Sequence, residues 1–368
     1  MSHPKTKKTK KPASKPVKTK FVLGWISHLE KTLFAKYLSV MIKSGLTMIE
    51  ALDISRDQAH GKLKTILEDV CEYVSKGHGL ADALERHGRV FPNIYINLIK
   101  TGEESGSLAE NLRQLSDQAE KDLAIRRKVK SAMMYPVFVL FAATGLGFSM
   151  AIFVLPKITQ MFKNLDVELP ITTRVLMWLA DYFSVYGWQT VGVFLVAVVL
   201  FGWLTRLPSV KPVLHNIIIR LPIAGKMSRN VNLARFTRTL GITLKSGLTI
   251  DEGLKISSDV VDNYVYKRAL AQVVKEVKRG SALSESLSAH SFLFPKITTR
   301  MTKVGESTGS LEGILIYLAE FYEAEVDNTV KNLATILEPV LLIFLGIMVA
   351  IVALAIITPI YQLSGSVG

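Results

Sequence analysis

Cysteine and the common catalytic motifs are almost absent from this sequence of 368 residues. Its one cysteine, Cys71, cannot build a disulfide framework or a thiolate zinc site, since both need several thiols. Its seven histidines never occur in the H-E-x-x-H spacing of a helical zinc site. The phosphate-binding pattern G-x-x-x-x-G-K-[ST] and the serine-hydrolase pattern G-x-S-x-G are also missing. We therefore expect no enzymatic activity, no catalytic residue, no bound metal and no cofactor.

Charged residues are missing from three stretches, although the chain carries a formal net charge of +14. Residues 131–156, 182–205 and 339–368 contain no Asp, Glu, Lys or Arg. A helix needs about 20 apolar residues to cross about 30 Å of hydrocarbon. The alternative, a buried core helix, is typical of shorter charge-free runs of about 10–14 residues. With a mean hydropathy of +0.29, the sequence predicts an all-α membrane protein with three transmembrane helices.

Basic residues near these stretches predict how the chain is oriented, because Lys and Arg are enriched on the cytoplasmic side. Five of them occur in residues 121–130 and four in residues 206–226. The connector at 157–181 has three basic and three acidic residues. We therefore expect residues 21–130 and 206–338 to face the cytoplasm. With three crossings, the N-terminus is then cytoplasmic and the C-terminus extracytoplasmic.

The two segments predicted to be cytoplasmic are copies of one another. The pentapeptide K-S-G-L-T begins at Lys43 and again at Lys245. The octapeptide T-G-E-E-S-G-S-L at Thr101 matches V-G-E-S-T-G-S-L at Val304. A repeat of this length indicates a duplicated domain rather than a solenoid unit of 20–50 residues. Each copy is followed by an apolar stretch, so the repeated unit is a domain plus a membrane span.

Local patterns predict that each copy is helical. Phe34, Leu38 and Ile42 follow one another at the i, i+4, i+8 spacing of a helix face. Gly45 comes directly after this stripe, where a helix end favours a left-handed backbone. Thr47 and the residue three positions later, a glutamate, form a T-x-x-E capping box that starts the next helix. The corresponding residues of the second copy are Gly247, Thr249 and Glu252.

Further helix boundaries follow from proline, glycine and serine. Pro92 and Pro295 suit the first turn of a helix that we expect to end near Gly102 or Gly305. Ser107 and the glutamate three residues later repeat the S-x-x-E capping box. The second copy lacks that glutamate, which predicts a weaker cap.

Three glutamates have both a structural and a functional interpretation. Glu103 and Glu306 stand in the repeated G-E-x-x-G-S-L turn, where a carboxylate can accept backbone N–H bonds from the turn or the following helix. The alternatives are a surface contact or a pair of acids around a cation. Glu338 lies at the start of the third predicted span, where it either favours the helix N-terminus or holds a partner. The structural interpretation is preferred for all three.

The first 20 residues contain eight lysines and no acid, with little apolar content, and we expect them to be disordered. Such a tail either lies on anionic lipid or is simply solvated, and the sequence does not separate these two interpretations. Nucleic-acid binding is not expected, because no aromatic residues are interleaved for base stacking.

At this point the motifs resemble those of a known family. The two K-S-G-L-T segments, the two G-E-x-x-G-S-L turns, and the Tyr-Pro and Glu-Pro pairs at Tyr135 and Glu338 are similar to those of the type II secretion F-domain family. Leu169-Pro-Ile-Thr and Arg220-Leu-Pro-Ile-Ala-Gly also resemble its connecting segments. The likeness covers about residues 30–363.

The resemblance implies a fold and a function. Members are inner-membrane platform proteins of type IV pili and type II secretion systems, without enzymatic activity. Their repeated cytoplasmic domain is a bundle of six helices, and they form oligomers, commonly dimers. The implied partners are a cytoplasmic hexameric ATPase, pilin or pseudopilin subunits and other inner-membrane assembly proteins. The competing class is an oligomeric transporter or channel, but the predicted spans have no internal charge and too few polar residues to line a pore.

These patterns together predict the following organisation. The segments are a Lys-rich tail at 1–20, a first F domain at 21–130, a transmembrane helix at 131–156, an extracytoplasmic amphipathic connector at 157–186, a second transmembrane helix at 187–205, a second F domain at 206–338, a third transmembrane helix at 339–361 and an extracytoplasmic tail at 362–368. The family-motif residues, expected to be structural or to contact partners, are Ser44, Gly45, Glu50, Gly102, Glu103, Gly106, Pro136, Ser246, Gly247, Glu252, Gly305, Glu306, Gly309, Glu338 and Pro339.

Overall fold

The structure, a computed structural model, describes residues 26–154, 156, 171–205 and 207–366. Within these ranges the chain is helical and contains no β-strand, as the sequence predicts. The predicted Lys-rich tail and the first part of the predicted connector, 157–170, lie outside the described residues.

Each sequence repeat forms six helices in the same order. Those of the first repeat are α1 (His28–Lys43), α2 (Met48–Gln58), α3 (Gly61–Ser75), α4 (Leu80–Glu85), α5 (Asn93–Ser105) and α6 (Leu108–Ser149). A π-helical segment, Met150–Val154, continues α6, and α7 (Ile171–Leu204) and α8 (Lys211–Arg220) connect the repeats. Those of the second repeat are α9 (Pro222–Lys245), α10 (Ile250–Val260), α11 (Tyr264–Lys278), α12 (Leu283–Ser288), α13 (Lys296–Thr308) and α14 (Leu311–Ser366).

Packing divides the chain into two compact units whose boundaries differ from those of the repeat. One unit comprises Met1–Leu123 with Thr239–Val260, and the other comprises Ala124–Arg238 with Val261–Gly368. The first unit therefore includes the α9–α10 turn of the second repeat, and α10 packs against α5 there. No feature of the repeat in the sequence indicates this division.

The tight turn between α1 and α2 is built as the sequence predicts. Gly45 has a φ of 91°, a left-handed conformation that only glycine adopts without steric cost. Its N–H donates to the carbonyl of Ile42, and the next N–H, of Leu46, donates to the carbonyl of Met41. This is the Schellman pattern, which satisfies carbonyls at the helix end. The second copy repeats it, with a φ of 88° at Gly247.

A pair of phenylalanines lies at the centre of each copy. The ring centroids of Phe34 and Phe91 are 5.7 Å apart, and both side chains are buried. The corresponding pair in the second copy, Phe236 and Phe294, has a separation of 5.6 Å and is also buried. Burying each ring stabilises the fold by about 2 kcal/mol. The copies therefore share a packing centre as well as a sequence motif.

Two helices in the described part of the chain are long and apolar enough to cross a membrane. They are Leu108–Val154, which covers residues 131–154 of the first predicted span, and Asp181–Leu204, which covers residues 187–204 of the second. Only 6% of the most apolar window of each is buried, which leaves these side chains available to lipid. The helices approach closely at Gly187, where an added Cβ would lie 2.8 Å from Cγ1 of Ile152.

The third predicted span is not one of these two helices. Residues 339–361 lie within α14, which runs unbroken from Leu311 to Ser366. Several of its side chains lie outside the described residues. A third membrane crossing therefore stays a prediction.

Two predicted helix boundaries are wrong. Helix α5 does not end near Gly102 but continues to Ser105, and α13 likewise continues past Gly305 to Thr308. The predicted capping box at Ser107 does not form either. The carboxylate of Glu110 instead accepts hydrogen bonds of 2.9 and 2.7 Å from the Arg113 guanidinium. A charged donor one turn away competes successfully with a backbone N–H for this carboxylate.

Replacing Gly309 with alanine should destabilise the protein by about 1 kcal/mol, because an L residue is strained at its φ of 67°. The matched control is Gly313→Ala, four residues further on. An added Cβ meets no atom within 4 Å at either position, so neither variant introduces a clash and only Gly309→Ala introduces backbone strain. Thermal unfolding in detergent should show a lower Tm for Gly309→Ala and an unchanged or higher Tm for Gly313→Ala. Equal shifts would contradict the assignment.

Candidate functional site

The first G-E-x-x-G-S-L turn connects three helices through one glutamate. The carboxylate of Glu103, near the end of α5, accepts the backbone N–H of Leu80 at 2.5 Å and that of Ala81 at 3.2 Å. These are the first N–H groups of α4, which have no partner within their own helix. A negative charge also interacts favourably with a helix N-terminus. Glu103 thus joins the end of α5 to the start of α4.

The second copy repeats this contact closely. Glu306 accepts the backbone N–H of Leu283 at 2.6 Å and that of Ser284 at 3.2 Å. From the sequence we expected these carboxylates to accept backbone N–H groups of the turn or of the following helix. In the structure the donors belong to the helix that precedes α5 or α13. Whether either glutamate also contacts a partner stays a prediction.

The two glycines of the turn have different roles. Gly102 lies where α5 meets α6, and an added Cβ there would be 2.8 Å from the Leu108 Cα. Gly305 has the same close neighbour in the second copy, the Cα of Leu311 at 3.0 Å. The second glycine, Gly106 or Gly309, ends its helix with a left-handed backbone. The motif therefore combines a close helix contact, a helix end and a bridging carboxylate.

The K-S-G-L-T segments supply helix ends and caps. Thr47 and Glu50 form the predicted capping box, in which the Thr47 N–H donates to the Glu50 carboxylate at 2.9 Å. The backbone N–H and the hydroxyl of Thr47 lower the pKa of Glu50 below its ordinary value. Glu252 accepts the same backbone bond from Thr249 at 3.1 Å. The serines of the two segments form different hydrogen bonds. The Ser44 hydroxyl donates to the carbonyl of Val40, within its own helix end.

The Ser246 hydroxyl instead reaches outside its own turn. It donates to the side-chain oxygen of Gln114 on α6 at 3.0 Å. Both residues belong to the first packing unit, so this bond ties the turn of the second repeat to a helix of the first. The sequence contains no signal for this pair, since 132 residues separate them.

The prolines at the predicted span entrances lie inside unbroken helices. Pro136 is within α6 and buried, and Pro339 is within α14 and exposed. The side chain of Glu338 lies outside the described residues. Its assignment therefore stays a prediction.

The helices that carry the first and third predicted spans are joined by an ion pair. Lys128 Nζ of α6 lies 2.6 and 2.7 Å from the two carboxylate oxygens of Asp327 on α14. A second pair, Arg238 with Glu323, joins α9 to α14, and both of its side chains are largely buried. Buried ion pairs are costly to break, since one partner would be left unpaired. Through these two pairs, α14 contacts both α6 and α9 within the second unit.

A polar cluster surrounds Asp262, in the turn between α10 and α11. Its carboxylate pairs with Arg235 of α9 and, at 3.5 Å, with Arg126 of α6. Burial alone would raise the pKa of Asp262, but the positive charges of Arg235 and Arg126 outweigh it, so the pKa is lowered. The carboxylate therefore stays ionised at neutral pH.

His215 of α8 lies next to this cluster. Its Nδ1 accepts the backbone N–H of Tyr264 at 3.0 Å, so the neutral ring carries its proton on Nε2. Burial is the main reason that the pKa of His215 is lowered. Lys211 and Lys267 act in the same direction, against the opposing effect of Asp262.

Sequence reasoning missed this cluster and the Lys128–Asp327 pair. Their members are 136 and 199 residues apart in the sequence, and each is an ordinary charged residue when read alone. Among the described residues, no group of three His, Cys, Asp or Glu side chains is placed to hold a metal ion. Cys71 is buried, and burial raises the pKa of its thiol to about 11, so it is a poor nucleophile.

Comparison with known proteins gives a consistent result over most of the chain. The model of the family described as type II secretion system (T2SS), protein F matches residues 34–156 and again 236–359. The chain is 34% identical to the type IV pilus assembly protein PilC of Thermus thermophilus, over 91% of this chain and 82% of that protein. It is 30% identical to PilC of Pseudomonas aeruginosa, over 93% and 92%, and 30% identical to the type II secretion system protein F of Vibrio cholerae, over 92% and 84%.

Replacing Glu103 with glutamine should destabilise the protein by about 1 kcal/mol. An amide offers one oxygen in place of two, and it carries no charge to attract the α4 N-terminus. The neighbouring Glu104 is exposed, and Glu104→Gln removes the same charge as a control. Hydrogen exchange of the Leu80 and Ala81 amides should be faster only in Glu103→Gln. Equal exchange rates in both variants would contradict the assignment of Glu103 as a bridge between α5 and α4.

Lowering the pH should destabilise the second unit through His215. Its folded-state pKa lies below the ordinary value of 6.5, so the stability contributed by the neutral ring is complete above that pH and is lost as the pH falls through the lowered pKa. His215→Asn keeps an acceptor for the Tyr264 N–H but does not titrate.

The Tm of the two proteins should therefore be similar at pH 7.5. At pH 5.5 the Tm of the wild type should have fallen more than that of His215→Asn. Parallel pH profiles would contradict this role of His215.

Proposed function

The chain belongs to the family of type II secretion system protein F, and we propose that it is a non-enzymatic platform protein of a type IV pilus or type II secretion assembly. In this proposal it lies in the inner membrane and couples a cytoplasmic hexameric ATPase to the insertion or extraction of pilin-like subunits. The relatives bear the names of both kinds of machine at similar identity, so both assignments stay open.

The observation that carries this proposal is the continuity of two helices. Helix α6 runs from the first G-E-x-x-G-S-L motif into an apolar span without a linker, and α14 runs unbroken from the second motif into the third predicted span. At 1.5 Å per residue, the 56 residues of α14 correspond to roughly 84 Å. A displacement applied at the cytoplasmic end of such a helix reaches the membrane directly.

The proposed topology follows the distribution of basic residues. Residues 21–130 and 206–338 face the cytoplasm, the connector is extracytoplasmic, and the C-terminus is extracytoplasmic if α14 crosses the membrane. Both helical domains are then available to one cytoplasmic partner. Two copies of the chain forming a dimer would present four such domains.

The two copies offer that partner different surfaces. Helix α3 carries three acids and two lysines, whereas its counterpart α11 carries four basic residues and one acid. The internal contacts of the motif are alike in both copies, but the charges of these two helices are not. We therefore expect the ATPase to bind one copy in preference to the other.

Charge reversal tests the proposal. The variant Glu68→Lys, Asp82→Lys, Glu85→Lys changes three exposed acids of α3 and α4 and should weaken ATPase binding at least tenfold, or about 1.4 kcal/mol. The matched control reverses three acids of the second copy, the half-buried Glu276 and the exposed Glu285 and Glu320. Binding is measured with the purified full-length protein in nanodiscs, and circular dichroism verifies folding.

The coupling proposal requires that one of the two sets reduces binding. A loss confined to the control set would assign the ATPase to the second copy instead. Wild-type affinity in both sets, with both proteins folded, would contradict it.

A further inference from the structure

A groove of about 700 Å³ lies in the second unit, beside the start of the first membrane helix. Four helices form its apolar walls. These are contributed by Val129 and Met133 of α6, Ile218 of α8, Met227 and Val231 of α9, and Leu333 of α14. Its volume is within the range of roughly 300–1,000 Å³ that is usual for small-molecule sites.

One part of the groove is positively charged. Arg126 and Lys130 of α6 and Arg235 of α9 line it, together with a single carboxylate, that of Asp262. Arg235 is 4% exposed and pairs with Asp262, while Lys130 is exposed. Of the charged residues that line the groove, three are cations and one is an anion, so the lining carries more positive than negative charge. This favours an anionic ligand that also has an apolar part.

The groove lies where the chain enters the membrane. Lys130 is the last charged residue before the charge-free stretch 131–156. Helix α8, which contributes to the wall, leaves Val213 and Ile217 60% and 53% exposed, and Leu221 directly after it 47% exposed. These three residues are spaced i, i+4, i+8 and therefore form one stripe. An exposed apolar stripe on a short helix with basic residues at both ends is typical of a helix lying in the lipid interface.

We propose that this groove binds one anionic phospholipid. One of its two acyl chains lies in the groove against the apolar walls, and its phosphate group lies against Arg126 and Lys130. Basic pockets on the cytoplasmic side of membrane helices recognise anionic headgroups in this way. The lysine-rich residues 1–20 do not suit this site, because their charge has the same sign. The proposal does not depend on the ATPase or on the assembly machine.

The test uses the full-length protein in detergent, with phosphatidylglycerol and phosphatidylcholine offered separately and binding followed by native mass spectrometry. Phosphatidylglycerol should bind at least tenfold more tightly than phosphatidylcholine. The variant Arg126→Gln, Lys130→Gln should lose that preference. The control, Arg127→Gln, removes an exposed charge from the neighbouring position, which does not line the groove, and should keep it.

A second variant separates the apolar groove from the charges. Ala224→Phe fills part of the cavity wall and leaves every charge in place, so it should reduce phosphatidylglycerol binding at least fivefold. A Tm equal to that of the wild type without lipid verifies that it folds. Unchanged lipid binding in this variant would overturn the assignment to the groove.

Three other outcomes would also overturn the proposal. Equal binding of both lipids in all variants would indicate unspecific lipid contact. Binding of inorganic phosphate to the wild type as tightly as phosphatidylglycerol would indicate a phosphate site without a lipid. Photocrosslinking from position 227 in membranes that captured a protein segment in place of lipid would assign the groove to a partner helix.

Discussion

Hydrocarbon cannot hydrogen-bond to a peptide group, and this constraint shapes the described structure. A chain that crosses a bilayer must satisfy its own backbone, so each apolar stretch has to be a helix. Here α6 continues without a break from the end of its motif into such a stretch. The contacts at its start, such as the close approach of Gly102 to Leu108, therefore belong to the same helix as this apolar stretch.

The two copies have the same internal contacts but different surface charges. Glu103 and Glu306 each bind two backbone N–H groups of a short helix, and a phenylalanine pair is buried in each copy. These groups are constrained because a lost partner leaves a polar group unpaired or a cavity unfilled. The exposed charges of α3 and α11 have no such constraint, so one domain type can present two different faces.

Local patterns predicted the local structure well where one interaction dominates. The turn at Gly45 and the capping box at Thr47 follow from backbone sterics and from a hydrogen bond across three residues. A short stretch of sequence is therefore enough to predict them. The prediction at Ser107 was wrong because a second local partner, Arg113, competes for the same carboxylate. The helix end near Gly102 was misplaced because that glycine permits a close packing contact, a role that the sequence does not distinguish from a helix end.

The amino-acid sequence by itself determined the helical class, the duplication and the two described helices that are apolar enough to cross a membrane. These depend on the periodicity of apolar residues, on repeated sequence motifs and on the absence of charged residues over about 20 positions. Only the tertiary structure decided that the α9–α10 turn packs with the first unit, and that Asp262 meets Arg126 and Arg235. These pairings join residues that are distant in the chain, and their energies depend on burial and geometry, which a single sequence does not specify.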